Sequence, residues 1–237
     1  MGAVRFSDIK PYSVLLLISI GVVVLFSLVL LKFVEPKPIP ITVSMSVSKT
    51  PLSAPIYIAY HYKLFEKCGI DVSLSNVIGG KRSFAQLTEE KVTFATSSDS
   101  VIAFSAFNHS DFKVLFSFAS SDNDVKIIYR NEIDLRYDSQ LKVGYYPASA
   151  SEYLLQVYQG LGYIASDALL VPLPPERLLT ALQTGDIDAM VNWEPYAWMA
   201  INEGDGNFLI AETKNLYSLH FDLVADTKFI ERNPDVV

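Results

Sequence analysis

Leu141-Lys-Val-Gly-Tyr-Tyr-Pro-Ala-Ser-Ala-Ser-Glu-Tyr-Leu-Leu-Gln156 is the stretch on which the fold turns. Leu141 to Tyr145 reads as a short buried strand, and Pro147, which has no N–H to give a ladder, stops it. Ser149 stands where a helix N-cap belongs, with Glu152 three residues on, the spacing of a capping box. A strand, a tight turn of small residues and a helix start leave unpaired backbone N–H groups pointing past the strand end. In open α/β sheets that is where ligands bind. The same residues also read as a capped helix that binds nothing, because the Glu152 charge already occupies the positive helix end. The rest of the chain has to decide between the two.

Working outward, strand and helix signals alternate on both sides. Downstream come a strand near Ala168 to Val171, a helix from Pro175 to Gln183 closed by Gly185-Asp186, and a strand from Ile187 to Asn192. Glu194-Pro195 then starts a helix, and strands at Phe208 to Ala211 and Phe221 to Ala225 come after it. Upstream, Ile41 to Val47 alternates as a strand, and Ser53-Ala54-Pro55 opens a helix that ends at Gly69. Ile70 to Val77 is a strand, Gly79-Gly80 leads into a helix from Lys81 to Glu90, and Val92 to Ala95 is a strand again. Thr96-Ser97-Ser98-Asp99 caps a helix through Phe107. Strands at Val114 to Ala119 and Val125 to Tyr129 flank the turn-rich Ser120-Ser-Asp-Asn-Asp124. The pattern predicts an α/β fold with mostly parallel sheet covered by helices. Helices that begin right after strands, at Ser53, Ser97, Ser149 and Glu194, sit at the carboxyl edge of their sheet. Two lobes facing each other across such edges would bring these turns into one cleft.

The first 40 residues are of another kind. Residues 1–12 are a polar flank with Arg5 and Lys10, and Val14 to Leu31 carries no charge. That length predicts a membrane-crossing helix over residues 13–34. With no small-residue cleavage site and no lipobox cysteine after it, an uncleaved anchor is favoured over a removed signal peptide. Arg5 and Lys10 on one side are matched by Lys32 and Lys37 on the other, so basic residues do not orient it. Glu35-Pro-Lys-Pro-Ile-Pro40 predicts an extended spacer over residues 35–40.

Composition narrows the function classes. Of 237 residues half are hydrophobic, and the formal net charge is −7. Beyond the apolar segment roughly 195 residues remain, enough for one large domain or two lobes. An acidic chain does not suit a phosphate backbone, which excludes nucleic acid as the expected partner. The 13 Tyr and 14 Phe argue against disorder. Cys68, the single cysteine, follows a helix end and precedes a glycine C-cap, with no histidine near it. His61, His109 and His220 lack zinc-site spacing, so no metal is expected. No nucleophile elbow, phosphate loop or dinucleotide fingerprint is present. No enzyme chemistry and no cofactor are expected.

Four segments together resemble the two-lobed solute-binding proteins of ABC importers, in the branch that binds sulfonates, taurine, nitrate and thiamine-pyrimidine precursors. They are Ala54 to Val72, Gly79-Gly80 with Val92-Thr-Phe-Ala-Thr-Ser-Ser98, Val143 to Ser151, and Ala181-Leu-Gln-Thr-Gly-Asp-Ile-Asp-Ala-Met-Val-Asn-Trp-Glu-Pro195. Each is weak alone, and their order is what makes the resemblance specific; it covers Ile41 to the end. It implies the type II periplasmic-binding-protein fold, with lobe one at 41–138, lobe two at 139–212 and a return to lobe one at 213–237. The crossovers are then expected near Arg136 to Leu141 and Leu209 to Phe221. The family normally continues beyond Val237 with further helices on lobe one, so the expectation is a fragment or an incomplete lobe.

By position, the resemblance carries ligand contact to Ser53 and Ala54, Ser97 and Ser98, Ser149 and Ala150, and Trp193 and Glu194. The physics agrees, since exposed N–H groups and short hydroxyls hold an oxyanion without a full countercharge. Each has a plainer role beside it. The serines cap helices, Trp193 fills core, and Glu194 favours a helix dipole. A carboxylate at Glu194 would repel a bare anion and suit a ligand with an amine or pyrimidine N–H. Arg82 reads as a solvated helix face or an anion contact, Asp99 as a helix start, and Tyr57, Tyr145 and Tyr146 as an aromatic wall. The expected function is binding of a small polar solute on the extracytoplasmic side of the cytoplasmic membrane, for ABC permease subunits. A membrane-anchored receptor input domain is the alternative. A third reading, a thiamine-pyrimidine synthase-like enzyme, expects a cysteine-rich motif and a cofactor lysine, and the lone Cys68 counts against it.

Overall fold

The computed structural model describes residues 19–26, 40–204 and 206–237. Residues 19–26 are helical (α1). The rest of the anchor expected at 13–34, the flank 1–12 and the spacer up to Ile39 lie outside the described residues. Among the described residues no helix is long and apolar enough to cross a membrane. Met1–Ile39 and Pro40–Val237 are separate units, and the sheets and the cleft belong to the second.

The order from Pro40 is β1 (Ile41–Ser48), α2 (Ala54–His61), α3 (Leu64–Lys67), β2 (Ile70–Val77), α4 (Gly80–Thr88), β3 (Phe94–Ser98), α5 (Asp99–Ala106) and β4 (Phe112–Ser121). Then come β5 (Val125–Arg130), β6 (Lys142–Tyr145), α6 (Ala150–Gly160), β7 (Leu169–Pro172), α7 (Pro175–Thr184), β8 (Ala189–Trp193), α8 (Tyr196–Glu203), β9 (Phe208–Ile210), β10 (Leu219–Asp226) and α9 (Thr227–Arg232). The expected helix from Ala54 to Gly69 is two pieces, because Lys63 takes a left-handed φ of 55° between them.

Two five-stranded sheets share one plan, β2-β1-β3-β10-β4 and β7-β6-β8-β5-β9. Strand–helix–strand passages make β1 parallel to β2 and β3, and β6 parallel to β7 and β8. The other pairings, β10 with β3 and β4, and β5 with β8 and β9, are antiparallel. Each sheet is therefore mixed where mostly parallel was expected: β5 and β10 enter from the other sheet and meet their neighbours running the opposite way. The first passage between sheets falls at residues 122–124, ahead of the expected Arg136 to Leu141, because β5 pairs with β8 and so belongs to the second sheet. The return, between β9 and β10, falls inside the expected Leu209 to Phe221.

Val43, Met45, Val47 and Leu223 pack in the first half, while Leu178 and Leu182 of α7 pack with Ile187 and Met190 in the second. Fully burying each such side chain is worth roughly 1.5–3 kcal/mol. A further cluster under α6 joins Leu154 and Leu155 to Val191, Leu219 and Phe221. The last two residues lie on β10 of the first sheet, so apolar packing runs from one half into the other beside the strand ends.

Candidate functional site

Glycines bring the site's backbone together. Gly79 has a φ of +82°, and a Cβ there would stand 3.2 Å from the Trp193 ring. A Cβ on Gly80 would come within 3.0 Å of the Ser97 backbone. Glycine alone lets α4 start hard against the end of β3, with Trp193 of the second half lying on it. Ser83 fixes α4 from below, its Oγ donating to the Ser46 carbonyl (2.7 Å) and accepting from the Thr96 N–H (3.2 Å).

Three helix N-termini meet at one cavity between the halves. Gly80 and Lys81 of α4, Ser98 and Val101 of α5, and Ser149 and Ala150 of α6 line it, with Ser48 and Thr50 after β1. Trp193, Asp124, Leu219 and Phe221 complete the wall. The cavity is about 30 Å³. On the order of 10–15 Å³ holds one water, so this space takes a couple of waters and admits a larger solute only if the halves part.

Ser98 Oγ caps α5 through the Val101 N–H at 3.4 Å, while Ser97 and Thr96, expected in the cap, finish β3. Ser149 Oγ accepts from the Ser151 N–H (3.2 Å) and donates to the Tyr146 carbonyl (2.6 Å). Glu152 reaches back to the Ala148 N–H at 2.6 Å, one residue beyond a standard capping box. Ser151 Oγ donates to the Val191 carbonyl (2.6 Å) and accepts from the Tyr146 N–H (3.0 Å), tying α6 to β8.

Of the residues expected at the site, Ser98, Ser149, Ala150 and Trp193 line the cavity, and Ser53, Ala54, Ser97 and Glu194 are not in its wall. Ser97 lies directly behind, its Oγ donating to the Gly80 carbonyl at 3.3 Å. Ser53 is fully buried with no hydrogen-bond partner for its hydroxyl among the described residues, while Ala54 is exposed. Glu194 is spoken for: Oε1 takes Lys126 Nζ at 2.6 Å and Oε2 accepts the Trp198 N–H at 2.9 Å. Helix α8 starts at Tyr196, so Glu194 caps it from outside. Trp193 does act as wall, resting on Gly79 and tilted against Tyr146 with centroids 6.4 Å apart.

Sequence reasoning missed Ser48, Thr50, Lys81 and Asp124. Lys81 Nζ donates across the cleft to the Pro147 carbonyl (2.8 Å) and lies 4.9 Å over the Tyr146 ring. Burial lowers its pKa, and Glu152 partly opposes that. Asp124 is only 7% exposed, and its pKa is raised to about 7, first by burial and then by the Glu194 charge, against the pull of Lys126. Arg82, read as a solvated face or anion contact, instead bridges the halves through a two-pronged pair with Glu176 at 2.7 and 3.2 Å. Asp99, the expected helix start, opens α5 and accepts hydrogen bonds from the Tyr217 hydroxyl and the Ser100 N–H. Among the described residues no cluster of three or more metal-ligating side chains occurs.

Paired mixed sheets with a cleft between them, reached by two chain crossings, define the periplasmic-binding-protein type of α/β fold. The chain belongs to the NMT1-like family, whose model matches residues 37–237. A protein of Bacillus subtilis (strain 168) named for aliphatic sulfonate binding is 26% identical over 187 residues, covering 73% of this chain and 53% of its own. The chain thus spans about half the length of that relative. The alkanesulfonate-binding protein SsuA from Xanthomonas axonopodis pv. citri, solved with MOPS, superposes with a TM-score of 0.69 at 16% identity, over 83% of this chain and 69% of that one. The periplasmic nitrate-binding protein NrtA from Synechocystis PCC 6803 gives 0.65 at 13% identity, over 83% and 58%. At these identities the structural likeness speaks for the fold.

Proposed function

We propose that the chain binds a small polar solute in the cleft between its halves and presents it to the membrane subunits of an ABC importer. The solute class is a sulfonate, a taurine-like zwitterion, nitrate or a pyrimidine precursor. What carries the proposal is the convergence of the α4, α5 and α6 N-termini, drawn from both halves, on one cavity. Relatives named for sulfonate and nitrate binding support it. Solute enters as the halves swing about residues 122–124 and the β9–β10 link, and closure buries it. The uncharged run Val14 to Leu31 would hold this domain at the cytoplasmic membrane, on its extracytoplasmic side. Such a tether suits a receptor as well as a carrier, which keeps a ligand-sensing input domain as second reading. Recovery of a permease with the detergent-solubilised chain would favour the carrier.

A thermal-shift screen over alkanesulfonates, taurine, nitrate, pyrimidines and amino acids tests the proposal. A ligand at a hundred times its Kd adds about 2.7 kcal/mol, or roughly 5–10 °C for a domain of this size. Ser149→Ala and Trp193→Ala should blunt the response. A saturable shift that both variants retain in full would move the site elsewhere, and a flat screen would count against solute binding.

A further inference from the structure

We propose that Asp124 selects the solute, and that the cleft takes a small molecule bearing a protonated amine next to an oxyanion. The inference rests on the solute-binding reading and names the charge pattern of its ligand. Asp124 is buried in the cavity wall, and among the described residues its carboxylate forms no hydrogen bond or ion pair. Lys126, the countercharge that acts on it, is held by Glu194 at 2.6 Å and by the Asn123 carbonyl at 2.7 Å. A buried carboxylate without a partner is costly, and an arriving ammonium removes that cost.

The same cavity also holds the opposite need. Ser48 lines it, is 1% exposed, and among the described residues its hydroxyl has no partner. The starts of α4, α5 and α6 and the Lys81 ammonium bring positive charge to the cavity. The charged groups around Asp124 are Lys81 from α4, Lys126 from β5 and Glu194 from the link between β8 and α8. The remaining elements contribute the uncharged Ser48, Thr50, Ser98, Ser149, Leu219 and Phe221. A bare anion meets Asp124 and is repelled, and a bare cation meets Lys81 and the helix ends. A zwitterion satisfies both needs. It also needs Asp124 ionised, so its affinity falls as pH drops through about 7.

The test uses the detergent-solubilised full chain and matched probes that differ by the amine: taurine with ethanesulfonate, β-alanine with propanoate, and ethanolamine phosphate with ethyl phosphate. Calorimetry at pH 8 should show at least one amine-bearing member binding tenfold or more tighter than its partner. Its affinity should drop about tenfold from pH 8 to pH 6, as a carboxylate titrating near 7 requires. In Asp124→Asn both the preference and the pH dependence should vanish, while the amine-free partner binds as well or better, which also shows that the variant is folded. Equal or tighter binding of the amine-free member by the unmodified chain, or binding that strengthens toward pH 6, would overturn the inference and leave solute binding intact. Strengthening at low pH would mean a protonated Asp124 donating to an anion. If no probe binds and the wider screen is also flat, the solute-binding reading falls, and this inference falls with it.

Discussion

The two halves bring similar turns to the cleft and differ in how they treat the polar groups of one stretch, the end of β1 and the turn after it. In the second half the turn hydroxyls and amides are paired: Ser149 with Tyr146 and Ser151, Ser151 with Val191 and Tyr146, Asn192 with Pro175, and Glu194 with Lys126. In the first half Ser46, Ser48, Thr50 and Ser53, on the end of β1 and the turn after it, have buried hydroxyls without partners among the described residues. Buried hydroxyls are normally satisfied, and four open ones on one segment are a concentration of unspent hydrogen-bonding capacity. On the proposed reading the difference separates two jobs: the second half supplies a wall whose polar groups are already paired, while Ser48 and Thr50 of the first half, with Asp124 at the crossing, supply the unmet groups in the cavity wall that a solute can meet.

Asp124 gives the largest expected effect. Its ordinary pKa of 3.8 becomes about 7 in the folded chain, so the folded state holds the proton more tightly than the unfolded one. Below about pH 4 both states are protonated and there is no penalty. Stability then declines as pH rises from about 4 to about 7, and stays lowered above that. The gap corresponds to roughly 4 kcal/mol as an upper figure. Asp124→Asn should therefore stabilise the ligand-free chain at pH 8 by up to that amount and leave it nearly unchanged at pH 4. Urea melts at both pH values check it, and equal differences at the two would remove Asp124 from the unmet groups.

Next comes the wall. Ser151 is fully buried, and Ser151→Ala strands both the Val191 carbonyl and the Tyr146 N–H. Leaving a buried polar group unsatisfied costs about 1–3 kcal/mol, so this variant should lose about 2–4 kcal/mol in urea unfolding. A loss below about 0.5 kcal/mol would mean the second half is no better paired than the first, and the contrast would fail.

The Arg82–Glu176 pair between the halves sits lower. Both side chains are more than a third exposed, at 36% and 39%, so solvent screens them. Glu176→Gln should cost only about 0.2–1 kcal/mol at low salt and less at high salt. Its more telling effect would be a more open cleft, read as a larger radius of gyration in solution scattering without ligand. An unchanged radius would leave the pair as surface decoration.

Much of the fold is legible in the sequence because its signals are local. The strands at Ile41 and Ile70, the Ser149 cap and the helix ending at Gly185 follow from alternation, capping residues and a left-handed glycine. Which sheet a strand joins is not local. Val125 to Arg130 reads as the same buried strand whichever sheet it pairs with, so nothing local corrects the crossing near Arg136 to Leu141 that the family resemblance implies. That single displacement hides Asp124, which looks like a turn residue until the crossing at 122–124 puts it in the cavity wall. Glu194 misleads for the related reason that its partner, Lys126, is 68 residues away. Ser48 carries no signal at all: a serine at a strand end is ordinary, and only the packing of α4 and β3 around it shows that its hydroxyl is enclosed.

Ser48 is the smallest effect on stability and the sharpest on the comparison. Removing a hydroxyl that bonds to nothing forfeits no hydrogen bond and relieves a desolvated polar atom, so Ser48→Ala should change stability by no more than about 0.5 kcal/mol, if anything upward. Removing a hydroxyl that was waiting for a ligand forfeits one contact in the complex, about 0.5–1.5 kcal/mol, or roughly 2- to 12-fold in Kd. Stability and affinity then move in opposite directions, which a merely structural serine cannot produce, since loss of packing would weaken both. Parallel melts and calorimetry with a solute taken from the screen read the two quantities on the same samples. A Ser48→Ala chain that is clearly less stable yet binds normally would show that this hydroxyl belongs to the fold, and would leave the first half with no better claim to the solute than the second.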